Sequence, residues 1–176
     1  MSEQAPDQHL PQLVEPRKLA TAQASFERSI ALDQLVRLQE LALRVLSAKV
    51  SLHFDRDEQN RPELRGLIQA QLELECQRCL EPMLFDIERS VQLAIVWDEA
   101  QAKALPKGLD PWVVGEGEAD LVDIIEEEIL LDIPVVARHE HDCLNPDFLS
   151  IGEGGDEAGE TKANPFSVLA DLKGKH

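Results

Sequence analysis

The residues best suited to chemistry are Cys76-Gln77-Arg78-Cys79 and the pair of histidines and third cysteine further on, His139, His141 and Cys143. Two cysteines separated by two residues in a tight turn can present both sulfurs to one metal ion. A structural zinc site takes four ligands, so His139, His141 or Cys143 would have to complete it, and the fold would have to bring that segment back to the turn. The same residues have plainer readings. Cys76 falls on the apolar face of an alternating segment and can serve as a small core residue. Cys79 can be a loop thiol, and the histidines can be solvated side chains. A redox dithiol is a further alternative, but such pairs place the reactive cysteine at a helix N-terminus. Here Pro82 and the alternation after it point to a hairpin.

Arg78 stands at the tip of that hairpin, with Arg61, Arg65 and Arg89 near it in sequence. Guanidinium groups gathered in this way could contact phosphate through paired hydrogen bonds. Alternatively, each could pair with a neighbouring carboxylate such as Glu75 or Glu81. A second charged feature is the run Glu116, Glu118, Asp120, Asp123, Glu126, Glu127, Glu128 and Asp132. It could dock a basic protein, or it could be a solvated helix face. Successive residues point to different sides of a helix, which argues against a magnesium site there. Near the C-terminus, Phe166, Leu169 and Leu172 share one helical face and make a candidate docking element, folding back onto the sheet or reaching a partner.

The elements that must position these residues are legible from periodicity. Alternation of apolar and polar residues marks strands over 46–54, 68–76 and 85–97, with Arg89 out of place on the apolar side of the third. Three such strands with short connections predict an antiparallel meander. Pro16 opens a short helix over 16–22, and 31–39 reads as another. Trp112-Val113-Val114 reads as a short extra strand. Asp120 is placed to cap an acidic amphipathic helix carrying Leu121, Val122, Ile125 and Ile129 on one stripe, and Pro134 stops it. The expected class is α+β: a mainly antiparallel central sheet, a short helical N-terminal region and one acidic amphipathic helix. The expected organisation is a flexible lead over 1–15, one domain over 16–150, a disordered linker over 151–163 rich in glycine, and an amphipathic tail over 164–176.

Bulk properties narrow the function. The chain of 176 residues has a net charge of −17, and residues 91–176 hold 6 basic against 19 acidic side chains. Such a field repels phosphate backbones at long range. The aromatic content of 4% leaves the core to Leu, Val and Ile. An odd cysteine count, 3, fits a reducing compartment better than a disulfide framework. No apolar run of about 18 residues is present, and the first 15 residues lack the pattern of a secretory signal. The expected location is the cytoplasm.

Three segments together resemble the YceD family of large ribosomal RNA subunit accumulation proteins. They are Leu72-Glu73-Leu74-Glu75-Cys76-Gln77-Arg78-Cys79-Leu80-Glu81-Pro82, then Asp120 to Leu131 with Pro134 after it, then Asn164-Pro165-Phe166-Ser167-Val168-Leu169. The resemblance implies a role in synthesis, processing or stability of 23S rRNA and brings no catalytic mechanism with it. The expectation is a ribosome-biogenesis factor, not an enzyme, acting by binding and without an obligatory cofactor, zinc being the one that the Cys/His set could take. Its partner would be precursor rRNA directly, or a basic protein such as a ribosomal protein or a ribonuclease. The alternatives are a small thiol-redox or metal-dependent enzyme, and an acidic nucleic-acid mimic that blocks a basic partner.

Overall fold

The computed structural model describes residues 9–144, and the linker and tail segments, with Phe166 and Leu169, lie outside the described residues. The elements run β1 (Leu13–Val14), α1 (Pro16–Thr21), β2 (Ser25–Ser29), α2 (Val36–Leu41), β3 (Arg44–Arg56), β4 (Pro62–Glu75), β5 (Pro82–Val96), α3 (Glu99–Lys103), β6 (Asp110–Val113), β7 (Ala119–Asp120) and α4 (Leu121–Asp132). The main sheet has the order β2-β3-β4-β5-β6 and a second, two-stranded sheet joins β1 to β7. All pairs in the main sheet are antiparallel except β5–β6. The α+β class with an antiparallel-rich central sheet is therefore the observed one.

β3, β4 and β5 are long because their alternation is long. Val50, Leu52 and Phe54 of β3, Leu64, Ile68 and Leu72 of β4, and Ile87, Val91, Leu93 and Ile95 of β5 are all buried and share one face. On the other face Lys49, Gln69, Asp86 and Glu88 meet solvent. A sheet covered on one side over most of its length reads as alternation; at the end of β5 the alternation is lost, because Ala94 and Val96 of the opposite face are buried too. Gly66 of β4 packs tightly against β3: a Cβ there would run into the Ser51 carbonyl and lie 2.8 Å from Leu52 Cδ2.

α4 covers the apolar face. Asp120 caps it, its side chain accepting from the Asp123 N–H at 2.9 Å. Leu121, Val122, Ile125 and Ile129 are buried against the sheet. The helix ends at Asp132, before Pro134. Among the described residues no helix is long and apolar enough to cross a membrane.

Two parts of the sequence reading need correction, and two short elements are new. The flexible lead is held from Leu10 onward: Leu10 is buried, its N–H donates to the Ser29 carbonyl at 3.0 Å, and Val14 pairs with Ala119. Two apolar anchors in a polar stretch are too few to show a period. The helix over 31–39 is broken into a 3-10 turn at Leu32–Gln34 and α2, because Leu35 leaves the helical region with ψ at 66°. Leu35 and Leu38 are nevertheless both fully buried, as an amphipathic stripe requires. β2, an edge strand with only Phe26 as a large apolar residue, and the five-residue α3 carried no periodic signal.

Candidate metal centre

The β4–β5 connection is a compact turn. The Cys76 N–H donates to the Glu81 carbonyl at 3.0 Å and the Leu80 N–H to the Cys76 carbonyl at 2.8 Å. Leu80 sits at φ 63°, in the left-handed region that costs a side-chain-bearing residue conformational energy. This backbone turns Cys76 and Cys79 to the same side. The chain that follows α4 then returns to meet it, with the Gln77 N–H donating to the Ala137 carbonyl at 2.8 Å.

That return brings four ligand atoms together: the sulfurs of Cys76, Cys79 and Cys143 and a ring nitrogen of His139, all within 4.8 Å of one another. Cys76 Sγ lies 3.7 Å from Cys143 Sγ, and Cys79 Sγ lies 3.4 Å from His139 Nδ1. Cys76 is fully buried and the other three are partly so. His141 is outside the group. Its ring stacks on that of His139 with centroids 4.8 Å apart.

The electrostatics follow from this crowding. Burial pushes the Cys76 thiol up, but the N–H groups of Cys79, His139 and Arg78, with the Cys79 thiol, outweigh it and bring Cys76 down to about 5. Burial also opposes ionisation of Cys143, and hydrogen bonds from Arg78, Cys79 and His139 lower it. Cys79 moves the other way: the Glu81 N–H lowers it, but burial and the sulfurs of Cys143 and Cys76 leave it raised. His139 is raised by Cys143 and Cys76 against the effect of burial. The pair Cys76–Cys79 sits in a hairpin turn and at no helix start, so the helix dipole of a redox dithiol has no counterpart here.

Arg78 points into this cluster. Its Nε donates to Cys143 Sγ at 3.1 Å, Nη2 donates to the carbonyls of His139 and His141, and Nη1 lies 3.7 Å from Asp142. The pairing with Glu75 or Glu81 weighed from the sequence is replaced by one with the returning segment. The other arginines of the supposed patch are engaged separately. Arg61 binds Asp57 at 2.6 Å, Arg65 binds Glu63 at 2.7 Å and Arg89 binds Glu128 at 2.7 Å. The sequence thus gathered four arginines that the fold disperses.

The acidic helix also divides. Glu126 and Glu128 are buried, which corrects their reading as partner-contact residues. Glu126 accepts from Arg37 Nε and from the Leu38 N–H, each at 3.0 Å. Both residues face packed elements because α4 has α2 on one flank and β5 on another. Glu127 and Asp123 remain exposed. They line a groove of about 570 Å³ together with Glu99, Asp110 and Glu128 and the apolar side chains of Trp112, Val113, Ile124 and Leu131. Glu99 and Asp110 come from the loop and short elements after β5, and sequence spacing gave no sign of them. A second groove of about 530 Å³ is lined by Arg17, Arg56, Arg61 and Trp97. Its arginines already donate to the carbonyls of Val114, Gly115 and Asn60 and to Asp57.

Residues 64–173 match the family described as Large ribosomal RNA subunit accumulation protein YceD. The chain is also 37% identical over 170 residues to the Large ribosomal RNA subunit accumulation protein YceD of Haemophilus influenzae (strain ATCC 51907 / DSM 11121 / KW20 / Rd), covering 94% of this chain and 97% of that one. The chain belongs to the YceD family. The stretch that matches the YceD family takes in all but the first two residues of β4, with β5, α4 and all four residues of the Cys/His cluster. No solved structure matches the chain.

Proposed function

We propose that this YceD-family chain supports accumulation of large-subunit ribosomal RNA by binding, without catalysis, and that its direct partner is a basic protein segment that would otherwise meet the RNA. The relative's name supplies the process. The observation that carries the choice of partner is the groove between β6 and α4, which Glu99, Asp110, Asp123 and Glu127 line together with apolar residues, the last two carboxylates also lying within 4.0 Å of Arg37. A lysine- or arginine-rich segment with one or two apolar side chains suits such a groove, since opposite fields speed association and the apolar lining adds affinity.

The arginines argue in the same direction. Phosphate contact needs free guanidinium donors, and Arg37, Arg61, Arg65, Arg78 and Arg89 each lie within 4.0 Å of a carboxylate of this chain. Together with a net charge of −17 this disfavours naked RNA as the direct ligand.

The test is purification of the tagged chain from growing cells, with and without RNase, followed by mass spectrometry and RNA sequencing. A basic large-subunit protein or ribonuclease that survives RNase, and is lost in Glu99→Lys/Asp110→Lys/Glu127→Lys, is the expected result. Recovery of precursor 23S rRNA alone, unaffected by the groove variant, would overturn the choice of partner and move attention to the groove lined by Arg17, Arg56 and Arg61.

A further inference from the structure

We propose that Cys76, Cys79, His139 and Cys143 hold a structural zinc ion that fastens the segment after α4 to the β4–β5 turn. This site is independent of the acidic groove and of the partner assigned to it.

Two of the six distances between the ligand atoms match those a zinc ion sets, and all six are within 4.8 Å. Tetrahedral zinc with sulfur at about 2.3 Å and nitrogen at about 2.1 Å sets sulfurs about 3.8 Å apart and a sulfur and nitrogen about 3.6 Å apart. Cys76 Sγ to Cys143 Sγ is 3.7 Å and Cys79 Sγ to His139 Nδ1 is 3.4 Å. Three thiols and an imidazole packed this closely without a metal would leave like charges or competing protons in a half-buried space. A divalent ion removes that conflict. Three sulfurs with one nitrogen in a tetrahedral set select zinc over harder cations, which prefer oxygen.

The surroundings are those of a metal's outer shell. Three thiolates around a divalent ion leave one negative charge, and Arg78 supplies the compensating positive charge through its Nε–H to Cys143 Sγ. Its Nη2 holds the carbonyls of His139 and His141, which fixes the backbone that presents His139. Leu80 at φ 63° closes the turn so that both cysteines face the ion. Backbone strain of this kind persists where the surrounding structure over-determines it. With all four positions filled from the protein the centre is closed, and its role is to hold the chain.

The experiment is elemental analysis of the full chain, purified without chelator and without a histidine tag. The expected content is about one zinc ion per chain. It should fall to near zero in Cys76→Ser/Cys79→Ser/Cys143→Ser and in His139→Asn, and stay unchanged in His141→Asn. Should the ligand variants fail to fold, cobalt(II) titration of the zinc-stripped wild-type chain gives a separate reading. Intense visible d–d absorption with a thiolate charge-transfer band supports a tetrahedral three-sulfur site. A chain that folds without zinc and gives no such absorption overturns the proposal, as does zinc retained by the triple cysteine variant.

Discussion

Arg37 and Glu126 meet across 89 positions of sequence: Nε of Arg37 donates to Oε2 of Glu126 at 3.0 Å, while Oε1 accepts the Leu38 N–H at 3.0 Å. One carboxylate thus ties α2 to α4 through both its oxygens. Its neighbour Glu127 lies 4.0 Å from the same guanidinium and is mostly exposed. The adjacent glutamates have different physics, and substitutions should separate them. Glu126→Ala leaves the Leu38 N–H without an acceptor and should cost about 2–3 kcal/mol. Glu127→Ala should stay within about 0.5 kcal/mol of the wild type. Urea unfolding midpoints of the two variants check this.

Arg89 stands on the apolar side of β5 because Glu128 and Asp132 of α4 wait above it, at 2.7 and 3.3 Å. The hydrogen bond to Glu128 raises its pKa further, against the effect of burial. Arg89→Met strands the buried Glu128 carboxylate and should destabilise by about 3 kcal/mol. Arg89→Met/Glu128→Leu, which replaces the pair by apolar side chains, should recover most of that loss. A double variant as unstable as the single one would show that packing, not the stranded charge, sets the cost.

Two backbone positions should respond in opposite directions. Leu80 is exposed and sits at φ 63°, so Leu80→Gly should raise stability by about 1 kcal/mol. Gly66 faces the Ser51 carbonyl and the Leu52 side chain at close range, so Gly66→Ala should lower it by about 2 kcal/mol. Thermal unfolding of both variants, as isolated, reads the two signs in one experiment.

Asp57 organises the β3–β4 turn, accepting from the N–H groups of Gln59 and Arg61 and from Arg61 Nε. Burial opposes its ionisation, but these bonds outweigh burial and hold its pKa below the usual carboxylate range. A carboxylate depressed in the folded state adds stability above its unfolded pKa of about 3.9 and loses it as pH falls through the folded value. Asp57→Asn should therefore be less stable than wild type by about 1 kcal/mol at pH 7. The gap should narrow below about pH 4. Equilibrium unfolding at several pH values tests it; a gap independent of pH would assign the loss to turn geometry alone.

The three long strands and the capped α4 were legible because each buries a face with a long period, which Arg89 alone interrupts in β5, and the short helix at Pro16 was legible from the proline that opens it. β2, α3 and the β1–β7 pair were not, since elements of two to five residues hold no period. The Cys/His set was legible as residue types, but sequence left His139 and His141 equivalent. Only the path of 137–143 over the turn selects His139. Glu126 and Glu128 misled for a related reason. Three consecutive glutamates look solvated, and nothing local announces that Arg37 and Arg89, 39 or more positions away, will bury two of them.

The central claim is that the acidic groove binds a basic protein segment in preference to RNA. The most direct measurement is the affinity of the purified full chain for basic large-subunit proteins and, separately, for a precursor 23S rRNA transcript, at physiological ionic strength. The expected result is protein binding that weakens with salt and is abolished by Glu99→Lys/Asp110→Lys/Glu127→Lys, with no comparable affinity for the transcript. Tight binding of the transcript by the chain alone, unchanged in that variant, would contradict it.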